Sequence, residues 1–233
     1  SDVYKRQVCS RRDADKLIEQ GKVLVNGQVA GMGQQVEETD TVQVGKKILQ
    51  GKQTQKVLAF YKPVGVTCTE RDPHAEKKIM DMIRYPERLT YAGRLDKDSE
   101  GLILLTNDGN LINAMMRGAN RHEKEYIVKT DREITPDFLE KMAKGIYLKD
   151  LDITTRECEI EQIGKFTFRI VLTQGVNRQI RRMCEACGYR VKALKRIRIM
   201  NILLGNLKPG KWREVTGEEL EQLQRDTGML NRN

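Results

Sequence analysis

The sequence predicts an α+β protein in two parts: a small N-terminal module over residues 1–52 and a larger domain over residues 53–233. Three observations predict it. A single short helical segment is followed at once by strand-like runs joined by tight-turn residues. Residues 45–56 are rich in Gly, Gln and Lys without one acidic residue, as an exposed linker is. Beyond residue 57, short apolar runs of strand length alternate with helical segments, which implies a mixed or largely antiparallel sheet with flanking helices.

In chain order, Ser10 is a natural N-cap, Ala14, Leu17 and Ile18 share one helical face, and Gly21 suits the left-handed residue after a helix. A helix is expected over 11–20. Val23, Leu24 and Val25, then the Asn26-Gly27 pair, then Gln28, Val29 and Ala30 read as a hairpin, with a further strand over 41–44. In the second part, strands are expected over 57–61, 102–106 and 124–129, with helices near 77–83 and 110–116. Thr135 caps another helix that has Pro136 at its first position and Gly145 at its end. Strands over 158–163 and 166–172 form a hairpin around Gly164-Lys165, a helix covers 177–187, residues 191–204 are extended, and a last helix spans 218–225.

Charge narrows the partner. The 233 residues carry 42 Lys plus Arg against 33 Asp plus Glu, a net +9 with a pI near 9.3, which favours a polyanion, with nucleic acid first. Between residues 177 and 198 eight basic residues (Arg178, Arg181, Arg182, Arg190, Lys192, Lys195, Arg196 and Arg198) face one acid, Glu185, for a local +7. A charge run is ordinarily a solvated face, but arginines outnumber lysines here and the sign is single, as phosphate contact requires. A second cluster, Lys5, Arg6, Arg11, Arg12 and Lys16, surrounds the first helix. No apolar run has the length of a membrane span and no signal peptide is legible, so a cytoplasmic protein without membrane contact is expected. Five cysteines, an odd number in apolar or helical surroundings, fit reduced thiols. Cys184 and Cys187 have a metal or redox spacing but lack a completing pair, and are expected in the core.

One polar loop stands out: Gly93-Arg94-Leu95-Asp96-Lys97-Asp98-Ser99-Glu100-Gly101, directly before an apolar strand. A rigid scaffold commonly presents reactive groups in this way. Taken alone, Asp96 is more readily a turn residue than a nucleophile, and Tyr126 a half-buried strand aromatic. Asp96 and Asp98 could suggest a metal pair, yet neither His74 nor His122 lies in acidic company, and no metal site is expected.

Four segments in order carry a resemblance: Lys62-Pro63-Val64-Gly65; Gly93-Arg94-Leu95-Asp96 with Ser99-Glu100-Gly101-Leu102; Lys124-Glu125-Tyr126; and Gly175-Val176-Asn177-Arg178-Gln179-Ile180-Arg181-Arg182-Met183. Together they strongly resemble the RsuA/RluB/RluF branch of bacterial ribosomal pseudouridine synthases over about residues 57–216. The last of them, followed by Arg196-Ile197-Arg198-Ile199-Met200-Asn201, is most similar to the RluF type within that branch. The segment from Cys9 to Asp15 with Gly21-Lys22-Val23-Leu24-Val25-Asn26-Gly27 resembles the S4 RNA-binding domain that precedes the catalytic domain in this branch. Residues 1–7 do not resemble the leucine-bearing helix that opens that domain, so that helix is expected to be missing.

The resemblance implies a cofactor-free isomerisation of uridine to pseudouridine in ribosomal RNA, 23S or a large-subunit precursor, with tRNA as a further candidate substrate and a monomer as the acting form. It assigns Asp96 as the catalytic carboxylate, Arg181 as the guanidinium that aims it, and Tyr126 as the residue against the base that manages the C5 proton. Arg94 would fill the gap left by the flipped uridine, and Ile180 would pack on the base. RNA contacts are expected from Arg11, Arg12, Arg178, Arg182, Lys195 and Arg196, and Lys62 is expected as a phosphate or a structural contact. Two other functions fit the composition: a non-catalytic RNA-binding or ribosome-assembly protein, and a metal-dependent nuclease using Asp96, Asp98 and Asp108. A phosphate-binding surface by itself needs no carboxylate in a basic cleft, which favours the synthase.

Overall fold

A computed structural model describes residues 8–37, 39–49, 54–69 and 74–230. In the N-terminal module, helix α1 (Arg11–Glu19) begins where the Ser10 side chain accepts a hydrogen bond from the Asp13 N–H. Strands β1 (Val23–Val25), β2 (Gln28–Val29), β3 (Val42–Val44) and β4 (Lys47–Leu49) form an antiparallel sheet of order β2-β1-β3-β4. Asn26 and Gly27 both take positive φ, the conformation that a two-residue hairpin turn with the right twist demands. Val23, Val25, Ala30, Val42 and Leu49 make a small core on which Leu17 and Ile18 of α1 pack. The linker expected over 45–56 is therefore shorter: its first part is the β3–β4 hairpin, closed because Leu49 is an apolar residue buried at the end of a two-residue turn and a short strand. The boundary expected at 52 lies outside the described residues, as do residues 1–7, on which the expected missing helix falls.

The second part holds β5 (Val57–Lys62), β6 (Thr90–Ala92), β7 (Glu100–Thr106), helix α2 (Gly109–Met116), β8 (Lys124–Thr130) and α3 (Pro136–Lys144). Then come β9 (Tyr147–Leu148), β10 (Ile153–Thr154), β11 (Glu159–Gly164), β12 (Thr167–Leu172) and α4 (Gln179–Ala186). The chain continues with β13 (Val191–Ile199), β14 (Ile202–Leu203), β15 (Trp212–Glu214) and α5 (Gly217–Asp226). Among the described residues nine strands make one sheet of order β11-β12-β8-β13-β7-β5-β15, with β14 on β13 and β6 on β7. The pair β13–β7 is parallel and every other strand pairing in this sheet is antiparallel, as a mixed α+β architecture predicts. The helix expected near 77–83 is a 3-10 turn, Ile79–Met82, held short because Lys78 is extended and bridges Thr67.

Two cores grip the centre of this sheet. On one face Leu102, Leu104 and Ile199 pack with Leu111 of α2 and Leu223 of α5; on the other Leu58, Phe60, Ile103 and Leu105 pack with Val66 and Ile79. That is why β5 is buried along its whole length and reads as a continuous apolar run. A third cluster joins Phe168, Ile170 and Leu194 to Phe138 and Met142 of α3 and to Ile180, Met183 and Cys184 of α4. Each fully buried side chain of this size contributes about 1.5–3 kcal/mol. Helix α4 is thereby pinned against the sheet, and its Arg-rich positions are set relative to the strands.

Candidate active site

Residues 93–99 link β6 to β7, two antiparallel neighbours whose register sets Ala92 opposite Leu104. Leu95 is buried beneath this loop, the Ser99 N–H donates to the Asp96 carbonyl at 3.1 Å, and the Gly65 N–H donates to the Lys97 carbonyl at 2.7 Å. The segment 62–65 thus buttresses the loop from outside. From inside, Gly101 takes φ +113°, and a Cβ built there would lie 2.2 Å from the Arg196 carbonyl oxygen. Only glycine lets β7 approach β13 this closely. The Asp96 side chain, held from both flanks, is 33% exposed.

Arginines of α4 face this carboxylate. Arg178 caps the helix in the left-handed conformation, φ 52°, which costs a non-glycine residue about 1–2 kcal/mol and marks a position held by its surroundings. Its two Nη atoms donate to the two Asp98 oxygens at 3.1 Å each, and its Nη1 stands 3.7 Å from Asp96 Oδ2. Arg181, 8% exposed, donates from Nη2 to the Asp98 carbonyl at 3.0 Å and to Ser99 Oγ at 3.1 Å, with Nη1 3.4 Å from Asp98 Oδ2. Partial burial alone would raise the Asp98 carboxyl; the Arg178 hydrogen bonds and the two guanidinium charges override it and hold the group below the usual carboxylate range. The structure therefore differs from the expected Asp96–Arg181 pair: Arg178 is the guanidinium next to Asp96, and Arg181 braces the loop through Asp98 and Ser99.

A cavity of about 440 Å³ opens beside the loop, within the range of small-ligand sites. Asp96, Arg94, Tyr126, Ile180, Arg181 and Arg196 are among the residues that line it. Tyr126 is half-buried on β8 and Ile180 is buried on α4, while the Arg94 side chain is exposed at the rim.

The expected RNA contacts divide. Lys62 is fully buried, and its Nζ donates to the Pro63 and Val66 carbonyls at 2.8 Å each. This corrects its reading as an RNA contact: it closes the turn after β5, and burial pushes its ammonium down to about 8. Arg196 is 3% exposed, with Nε donating to the Leu102 carbonyl at 2.7 Å, so it serves the cavity wall and not an outer phosphate surface. Arg182 donates to the Asn177 carbonyl and pairs with Asp150, and Arg198 pairs with Glu123 and Glu125. Much of the +7 run is thus neutralised inside the fold. Arg190 and Lys192 are exposed, Lys195 is half-exposed, and none of the three forms an ion pair among the described residues. Arg12 is exposed on α1, and the side chain of Arg11 is outside what the structure describes. Cys184 is fully buried, its thiol pushed up to about 12 by burial, as expected of a core residue.

Sequence reasoning did not single out Asp98 as the partner of both arginines, nor Lys124 as a cavity residue. The first was legible in principle, since Asp98 shares the loop with Asp96; the second follows from the alternation that puts Lys124 and Tyr126 on one face of β8. Asp108, expected beside Asp96 in the nuclease reading, instead caps α2 by accepting from the Asn110 and Leu111 N–H groups.

Known proteins of one kind are similar to this chain in sequence and in fold. The RNA pseudouridylate synthase family model matches residues 56–186, and the S4 domain model matches residues 3–42. The dual-specificity RNA pseudouridine synthase RluF of Escherichia coli K12 is 44% identical over 218 residues, covering 93% of this chain and 74% of that protein. Ribosomal large subunit pseudouridine synthase B of Vibrio cholerae is 33% identical, covering 92% of this chain and 70% of its own length. A crystal structure of a pseudouridylate synthase superposes with a TM-score of 0.71 at 26% identity, covering 95% of this chain and 97% of the other. The chain thus belongs to the RNA pseudouridylate synthase family and is an RNA pseudouridine synthase with an N-terminal S4 domain.

Proposed function

We propose that this enzyme isomerises uridine to pseudouridine in large-subunit ribosomal RNA, acting as a monomer in the cytoplasm, with Asp96 as the reacting carboxylate. The observation that carries the assignment is a partly exposed carboxylate, next to a guanidinium, in the wall of a cavity that also contains Tyr126 and Ile180. The target RNA is argued from the names of two relatives, one an RNA pseudouridine synthase and the other a ribosomal large subunit pseudouridine synthase. The name of the first relative, a dual-specificity RNA pseudouridine synthase, leaves room for a second RNA substrate, for which tRNA is our candidate.

The reaction breaks the N1–C1′ bond, turns the uracil and forms a C5–C1′ bond; N1 gains the proton that C5 loses, so no electron or group donor is required. Asp96 begins it by attacking the ribose or by removing a ribose proton, and both routes need an ionised carboxylate free to move toward the sugar. Arg178 Nη1, 3.7 Å from Asp96 Oδ2, stands beside the carboxylate without closing on it. Tyr126 lies against the base and manages the C5 proton, Ile180 packs on the ring, and Arg94 at the rim occupies the gap left by the extruded nucleotide.

Asp96→Asn tests this reading. The amide keeps the shape but neither attacks nor accepts a proton, so pseudouridine formation in a single-turnover assay on rRNA should fall below about a thousandth of the wild-type rate, roughly 4 kcal/mol of barrier. Filter binding at fixed salt should be unchanged or slightly tighter, since a negative charge has left a basic cleft. A variant that keeps more activity than that assigns the chemistry to another residue.

A further inference from the structure

We propose that Lys124 and Arg196 form an anion subsite inside the cavity, which takes an anionic oxygen of the target nucleotide. The proposal rests on the reading of this cavity as the nucleotide pocket and goes beyond it by naming the groups that would balance a negative charge there.

Both residues line the cavity together with Asp96 and Tyr126. Lys124 lies two residues before Tyr126 on β8, and Arg196 sits directly opposite Tyr126 on β13, so all three side chains stand on one face of the sheet. The adjacent residues on the other face are fully matched: Arg198 donates to Glu125 and Glu123, and Arg169 to Glu125, Glu159 and Glu161. On the cavity face the pairing stops. Lys124 Nζ donates to the His122 carbonyl at 3.3 Å, and Arg196 donates from Nε to the Leu102 carbonyl and from Nη1 to the Arg94 carbonyl. Arg196 Nη2 is buried with no partner, and neither cation has a carboxylate partner among the described residues.

Two cations enclosed together without a counter-ion are costly, because desolvation and mutual repulsion both oppose their charge. Lys124 registers both effects: burial first, then the Arg196 charge, lower its pKa. Such a wall becomes favourable when a ligand brings the missing negative charge. The target nucleotide offers two sources of the same chemistry. One is its backbone phosphate. The other is the uracil itself: when N1–C1′ breaks, the bonding pair leaves with the base, and the charge spreads over N1 and the carbonyl oxygens until C5 bonds to C1′ and the C5 proton passes to N1. Fixed cations aimed at developing charge act strongly in a site from which water is excluded.

The test uses the full chain and a large-subunit rRNA transcript, comparing Lys124→Gln and Lys124→Arg with the wild type. Without RNA, Lys124→Gln should keep or raise Tm, since it relieves repulsion and breaks no ion pair. If the anion is the detached uracil, the single-turnover rate at saturating RNA falls about 100-fold or more with Kd unchanged. If it is the phosphate, Kd weakens about tenfold, the logarithmic salt slope falls by roughly 0.7 to 0.9, and the saturated rate holds. Either pattern, with most of the loss restored by Lys124→Arg, supports the subsite. A drop in Tm with Lys124→Gln would reveal a counter-ion within the protein and overturn it, as would unchanged rate and Kd. Failure of Asp96→Asn to lose activity would instead remove the underlying assignment of the cavity, so the two failures are separable.

Discussion

Gly101→Ala should separate the two central strands on which the site is built. Gly101 has φ +113°, a region that costs an L residue about 1–3 kcal/mol. The added Cβ would meet Arg196 backbone atoms, O at 2.2 Å, N at 2.7 Å and C at 3.0 Å, none of which can rotate aside as a side-chain tip does. Relief requires β7 and β13 to part where they pair, at Lys195–Glu100 and Arg196–Gly101, which forfeits about two ladder hydrogen bonds at roughly 1 kcal/mol each. The total is about 3–5 kcal/mol, and at about 2–4 °C per kcal/mol for a protein of this size Tm should fall by roughly 6–20 °C. The same shift moves Arg196 and the loop bearing Asp96, so the single-turnover rate should fall as well. Scanning calorimetry of the variant beside Gly175→Ala, where the Cβ meets open space, reads the effect directly. A Tm within about 3 °C of the wild type would show that the close approach of these strands is soft, and would refute the account of why glycine stands there.

Three further outcomes are expected. Lys62→Met should change the pH dependence of stability: the folded protein releases the Lys62 proton near 8 and the unfolded chain near 10.5, so between those values the unfolded state binds more protons and the wild type gains stability with rising pH. Urea unfolding from pH 7 to 10 should show that gain in the wild type and lose it in the variant. Replacing Arg190, Lys192 and Lys195 with Gln should weaken RNA binding across sequences and flatten the logarithmic salt dependence by roughly 0.7 to 0.9 for each phosphate interaction removed; an unchanged slope would mean that these charges face away from RNA. A chain beginning at Thr54 should fold, because the Thr54 carbonyl and the Lys56 N–H are already bonded to Asn107 and Gln55 to Asp108; it should bind structured rRNA less well than the full chain, and an unfolded circular dichroism spectrum would join the two parts into one core.

Local chemistry made much of the fold legible in the sequence. Ser10, Asn26-Gly27 and Thr135-Pro136 act on their own neighbours within three or four residues, so the helix starts and the first hairpin follow from residue type alone. Asp96, Tyr126 and Ile180, which line one cavity, were grouped in the sequence only by the family resemblance of their segments, since each alone reads as an ordinary turn, strand or helix residue. Strands β4, β6, β9, β10 and β15 were not legible: each has two or three residues, too few to show a period, and β15 in addition depends on a partner, β5, about 150 residues away.

By itself the sequence determined the two-part α+β organisation and the surplus of basic charge, and its family resemblance singled out Asp96 as the carboxylate at which chemistry is expected. Tertiary structure alone decided how that charge is spent: Arg178 and Arg181 on Asp98, Arg182 on Asp150, Arg198 on Glu123 and Glu125, Lys62 on two carbonyls, and Lys124 and Arg196 on nothing acidic among the described residues. The reason is physical. Residue type sets the sign of a charge, whereas partner, burial and distance set its effect, and those depend on contacts between segments a hundred residues and more apart, such as Arg196 with the Arg94 carbonyl and Lys56 with Glu214.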